Sequence, residues 1–206
     1  MKKFSLFLFI IIFLYSCSNV PYFANDEFGN LIDAENDRLY IFSRGYLRAA
    51  EIIATPFARY DNYGTRATLH EIPGADPAKW LSEDISTLGM PFLFRESSIP
   101  EPQLETFGTE RIHITQMGER NMRVGLIDNP EQVQAIVDDF VHGDQVSHQI
   151  NIDRDYMLFF ESPYYPGIYF VFNHITSTDG QAYLFDRWTR RTVRCRVPLF
   201  GGYSDD

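Results

Sequence analysis

Lysine is almost missing from this 206-residue chain: after Lys2 and Lys3 only Lys79 remains, and every other basic residue is arginine. Acids outnumber lysines and arginines, 28 to 18, for a net charge of −10. A surface this acidic repels phosphate backbones and excludes nucleic acid as a partner. Cysteine is as scarce, with Cys17 and Cys195 alone. No apolar run reaches the roughly 20 residues that a membrane-spanning helix needs. The longest, Phe4 to Tyr15, is broken only by Ser5 and is followed at once by Ser16, Ser18, Asn19 and Pro21. There is no H-E-x-x-H, C-x-x-C, G-x-S-x-G or Walker-type loop, so no familiar hydrolase, zinc or nucleotide chemistry is written here and no cofactor is expected. No strict internal repeat is present.

What is present begins with the leader. Lys2 and Lys3 precede the apolar run, which ends Leu14-Tyr15-Ser16-Cys17. A charged start, about a dozen apolar residues and a small residue before the cut is the pattern of an export signal. The Leu-Tyr-Ser-Cys ending resembles the lipobox of bacterial lipoproteins. That resemblance implies removal of residues 1–16 and acylation of Cys17 at both its sulfur and the new amino terminus. Several acyl chains anchor durably where one binds marginally. Ser18, rather than Asp, follows the cysteine, which by the family's sorting rule implies the outer membrane in a host with two membranes. Plain secretion is the alternative, and a membrane span is the more distant one.

Loss of the leader removes two lysines and no acid, leaving 190 residues with a net charge of −12. At 45% apolar and 16% aromatic, the remainder can bury a substantial core. With Cys17 acylated, Cys195 has no partner. Val193, Cys195 and Val197 share one face of a strand and Arg194 and Arg196 the other, which marks Cys195 as a buried structural thiol.

Residues 17–30, rich in Ser, Asn, Pro and Gly, form a lipidated tether. An N-terminal β-rich lobe is expected over 31–95. It holds a hairpin of Leu31–Asp33 with Arg38–Phe42, a stretch 46–55 that reads as strand or helix, a strand from Arg66 to Ile72, and a short helix begun by Asp76-Pro77 with Trp80, Leu81 and Ile85 as its stripe. Asp can cap such a helix and Pro suits its first position. Glu96 to Gln103, with two prolines, is the candidate linker. Residues 104–206 form an α+β lobe, unless 31–206 is one continuous domain. In it Arg111–Met117 and Met122–Ile127 form a hairpin. A helix starts at Asn129-Pro130, with Val133, Ile136, Val137 and Phe140 at i, i+3, i+4 and i+7, and Gly143 ends it. Four strands follow, within 156–161, 168–174, 182–186 and 192–197. Their short connections predict an antiparallel meander covered by the helix.

Three sets of residues are candidate sites. Connections one and three of a meander share an end, which predicts that Tyr164 and Tyr165 neighbour Trp188, Arg187, Arg190 and Arg191. Rings beside arginines suit a partner protein, a glycan or an anionic ligand. His142, Asp144 and His148 are the candidate for a hydrolase of unrecognised type. Asn151, Asp153 and Asp155 alternate like the start of a calcium loop, but lack the following glycine and the distal glutamate. The sequence favours a lipid-anchored envelope protein that binds a partner protein or glycan, or supports an assembly, over an enzyme.

Overall fold

The computed structural model describes residues 20–43, 46–62, 64–83, 92–116, 122–147, 149–197 and 199. Among the described residues the chain is strand-rich, with antiparallel sheets and one α-helix.

Alternation builds the first sheet. Its strands are β1 (Ala24–Asn25), β2 (Leu31–Asp33), β3 (Arg38–Phe42), β5 (Pro56–Asn62), β6 (Thr65–His70), β7 (Trp80–Glu83) and β8 (Leu93–Glu96), while β4 (Leu47–Ala49) leaves for the second sheet. The order is β1-β2-β3-β8-β7-β6-β5. The two ends meet: Tyr22 makes a parallel bridge to Arg59, the Phe23 N–H donates to the Arg59 carbonyl at 2.8 Å, and the Arg59 N–H donates to the Pro21 carbonyl at 2.9 Å. The sheet is thus a small barrel with no open edge at this seam. Phe23, Leu31, Tyr40, Tyr60, Leu69, Leu81 and Phe94 fill it, with Phe23 stacked on Tyr40 at 5.7 Å between ring centroids.

The second sheet runs β10-β9-β11-β12-β13-β14, from β9 (Arg111–Gln116), β10 (Met122–Ile127), β11 (Ile152–Glu161), β12 (Ile168–Ser177), β13 (Ala182–Phe185) and β14 (Thr192–Cys195). The last four strands pair in chain order, antiparallel. The helix α1 (Pro130–His142) begins where the sequence places it, because the Asn129 side chain accepts the Gln132 N–H at 3.0 Å and Pro130 follows. Val133, Ile136, Val137 and Phe140 pack on Ile112, Ile114, Leu158, Phe160, Phe170 and Phe172 of the sheet. A clamp holds the helix to the strand end: the buried Asp139 accepts the Arg196 backbone N–H at 2.7 Å and the Nε–H of its largely exposed side chain at 2.6 Å.

Three expectations are corrected. The segment begun by Asp76-Pro77 is a single turn, with the Trp80 N–H on the Asp76 carbonyl, and the chain then enters strand β7 rather than a helix. Trp80 and Leu81 point into different cores, the former into the helix-covered one and the latter into the barrel; a strand buried on both faces reads as an apolar stripe of either kind. Ile85, Gly89 and Pro91 lie outside the described residues. The expected tether is also shorter, because Phe23 is buried in the barrel and residues from Pro21 onward are hydrogen-bonded to β5. Finally, the 96–103 connector is pinned rather than loose, since Arg95 bonds Glu101 at 3.1 Å and also the Ile99 carbonyl. The helix-covered core draws Tyr46, Leu47, Ala49, Ile72, Trp80 and Leu93 from the N-terminal side of that connector.

Candidate binding surface

The meander end does not gather the six residues expected there. β4 pairs with Ile168–Phe170 of β12, and β13 pairs with the same strand only from Asn173 onward. The inserted strand therefore stands between the 162–167 loop and the 186–191 turn. Tyr165 goes to the core, stacked on Phe107 at 4.9 Å and edge-on to Trp80 at 6.5 Å. Tyr164 is exposed, and its ring lies where a side chain at Gly108 would be.

Each arginine of the turn has its own environment. Arg191 Nη2 donates to the Val141 carbonyl at 3.0 Å and the Gly143 carbonyl at 3.4 Å, closing the C-terminal end of α1. Its guanidinium also lies 5.3 Å from the Phe140 ring centroid. Arg187 pairs with Asp155 at 3.5 Å. Arg190 is exposed in a left-handed conformation, φ 56°.

Trp188 is placed differently, by an Asp turn. Asp186 is buried and accepts the Trp188 N–H at 2.9 Å and the Thr189 hydroxyl at 2.5 Å, while its own N–H donates to the Arg191 carbonyl at 2.9 Å. This turn presents the indole, 53% exposed, edge-on to Phe92 at 6.0 Å. Phe92 in turn meets Phe42, which is 45% exposed, at 5.4 Å. Three rings from three distant segments make one apolar patch, with Phe92 half-buried between the exposed Phe42 and Trp188.

Beneath the patch lies Arg48. Its Cζ is 4.8 Å from the Phe92 centroid and 5.4 Å from that of Trp188, within cation–π range. The residue is 5% exposed. Nη1 donates to the Leu47 carbonyl at 2.7 Å, and Nε is buried without a hydrogen-bond partner. Burial pulls the guanidinium pKa down to about 10, partly opposed by the nearby Asp186 carboxylate. Sequence reasoning named Trp188 as a candidate, and did not name Phe42, Phe92 or Arg48. No local pattern marks them, because they meet only through the junction of barrel and sheet.

The other two candidate sets stay dispersed. His142 and Asp144 are exposed, and no hydrogen bond joins them among the described residues; His148 lies outside those residues, as does Cys17. Asp153 is exposed, 3.6 Å from Arg154. Asp155 accepts the Asn173 side-chain N–H at 2.6 Å, and the Asn151 carbonyl accepts the Thr178 N–H at 3.0 Å. Among the described residues no three His, Cys, Asp or Glu side chains are grouped to hold a metal. One polar set went unforeseen: on the sheet face away from α1, His113 bonds the Glu161 carboxylate at 2.6 Å through Nε2 and Arg123 through Nδ1. A cavity of about 170 Å³ also opens between α1 and β12, walled by Tyr46, Phe140, Phe170 and Phe172. Of its three charged members, Glu105, Asp186 and Arg191, the last two are committed to the turn and the helix end.

No family model, curated protein or solved structure matches this chain. No described helix is long and apolar enough to cross a membrane.

Proposed function

We propose that this protein is a lipid-anchored component of a bacterial envelope that docks another envelope molecule through the Phe42–Phe92–Trp188 patch. The leader and its Leu-Tyr-Ser-Cys ending support the address. The docking reading rests on one observation: Trp188 stays about half exposed over a guanidinium that the fold itself has desolvated, and the half-buried Phe92 joins it to Phe42, which is also about half exposed. A ring offers much contact area for little lost entropy, and aromatic–arginine clusters dominate binding energy at interfaces. The hydrolase and cation-binding readings have no comparable observation.

Mass spectrometry of the protein from its native membrane tests the anchor. The expected product begins at acylated Cys17, and Cys17→Ala abolishes partitioning into detergent. An intact leader or a free Cys17 thiol contradicts the address. For the patch, a Phe42→Ala/Trp188→Ala double variant keeps the fold, since both rings are surface rings, and loses partner binding by a factor of 10 or more. Full binding by that folded variant contradicts the docking site.

A further inference from the structure

The barrel carries an apolar strip on its outer wall. Leu31 and Tyr40 point inward and are fully buried, so their neighbours Ile32 and Leu39 point outward. Ala24 lies opposite Ile32, and Ile32 lies opposite Leu39. Opposite residues share a face, which sets the three in one row across β1, β2 and β3. Tyr22, two residues before Ala24, faces outward as well, because Phe23 between them is buried in the barrel. Ala24, Tyr22 and Ile32 are exposed, and Leu39 is half-buried.

The β1–β2 turn adds Phe28, 81% exposed. This ring is not on a loose end. Asp26 accepts the N–H groups of Phe28 at 2.8 Å and Asn30 at 2.9 Å, and the Asn30 side chain at 2.7 Å. The flanking charges do not select a charged ligand. Asp26 and Asp61 are engaged by N–H groups of their own turns. Arg59 beside Tyr22 and Glu27 beside Phe28 are of opposite sign. What the strip offers is apolar area and rings.

The position of the strip names its occupant. The barrel is fastened at Pro21, whose carbonyl accepts the Arg59 N–H at 2.9 Å. Cys17 stands four residues earlier, at most about 14 Å of extended chain. The headgroup layer of a bilayer takes up about 5–7 Å of that reach. A tether this short holds the barrel against the surface that holds the acyl chains, and Tyr22, next to Pro21, is the near end of the strip.

We infer that the bilayer anchoring Cys17 covers this strip, with Tyr22, Ala24, Phe28 and Ile32 seated at headgroup level. The inference rests on the lipid-anchored reading and names the face that meets the membrane. Aromatic rings favour that depth, and an apolar face adds to the hold of the acyl chains.

The experiment uses the full acylated chain, reconstituted into phosphatidylcholine vesicles. Nitroxide labels are placed through Ala24→Cys, Ile32→Cys and, as control, Leu126→Cys; all three positions are exposed, and the native Cys195 is buried. Mass spectrometry of each sample first reads the state of Cys17. Accessibility to a water-soluble nickel chelate and to oxygen, which concentrates in lipid, is then measured. The expected result is several-fold lower nickel accessibility at 24 and 32 than at 126, with oxygen accessibility retained. With Cys17 acylated, equal nickel accessibility at all three positions overturns the inference and leaves the anchor standing. Exclusion of both nickel and oxygen at 24 and 32 marks a protein cover, such as a second copy of this chain, and also overturns it. A bare Cys17 thiol removes the anchor, and the inference falls with it.

Discussion

His174 shows what a single buried group costs this protein. It sits on the core face of β12, paired across the sheet with Tyr156 and Leu184. Neither ring nitrogen has a hydrogen-bond partner, and burial lowers its pKa from 6.5 to about 4. The folded state thus resists a proton that the unfolded chain takes near pH 6.5. The contribution is complete above that pH, shrinks as pH falls, and is spent below about 4. Its size is about 3 kcal/mol. Denaturant titrations at pH 7, 5.5 and 4 should show His174→Phe losing less stability with acid than the unaltered chain; identical losses contradict this assignment. Cys195 is the second residue-scale case. Burial raises its thiol to about pKa 11, and the sulfur bonds the Val197 carbonyl. Thiolate is therefore negligible at pH 7 and a disulfide reagent should label Cys195 only on unfolding; rapid labelling of native protein would contradict that. The burial of Cys195 was legible in the alternation of Val193, Cys195 and Val197. The isolation of His174 was not, because a histidine's missing partners are a property of the packed sheet and leave no mark on its neighbours in sequence.

At the scale of elements, junctions carry the information that local patterns omit. Gly167 has φ 76°, and a side chain there would run into the Pro73 carbonyl. This is where the β11–β12 loop meets the turn at 72–74, and the Ala50 N–H bonds the Gly167 carbonyl at 2.7 Å. Gly167→Ala should destabilise by about 2 kcal/mol or more, since left-handed strain and a backbone collision add; a change below 0.5 kcal/mol by denaturant titration would show that the contact yields. Asp139→Asn should cost about 1 kcal/mol by denaturant titration, because the buried carboxylate loses its charge on the bond to the Arg196 backbone, while its bond to the largely exposed guanidinium is screened by solvent; no change would show that the clamp adds nothing. Elements with one buried face were readable: α1 by its cap and stripe, the β2–β3 and β9–β10 hairpins, and the meander. β7 was not, since Trp80 and Leu81 serve two different cores. The same blindness hid the patch. β4 is three residues long, carries Arg48, and joins a strand more than a hundred positions away.

The whole molecule is tied together across the connector at 96–103. Tyr46, Leu47, Ala49, Ile72, Trp80 and Leu93 complete the core beneath α1. Each large side chain contributes about 1.5–3 kcal/mol when buried, against a net stability of about 5–15 kcal/mol for a typical domain. Residues 104–206 alone should therefore not fold, and a dispersed amide spectrum from that fragment would refute a shared core. The division into two lobes suggested by Glu96–Gln103 rested on its prolines, but Arg95 pins that segment. Charge is uneven at this scale too, with the basic turn at 186–191 set against an acidic whole.

The docking reading is tested most directly by a photocrosslinking amino acid placed at position 188 of the full chain in intact cells. Position 126 serves as control, since Leu126 is also half exposed but lies on edge strand β10. The account predicts one discrete adduct from position 188, absent from position 126 and lost on substitution of Phe42 by Ala. Equal adducts from both positions, or none from 188 while 126 captures a partner, would contradict it.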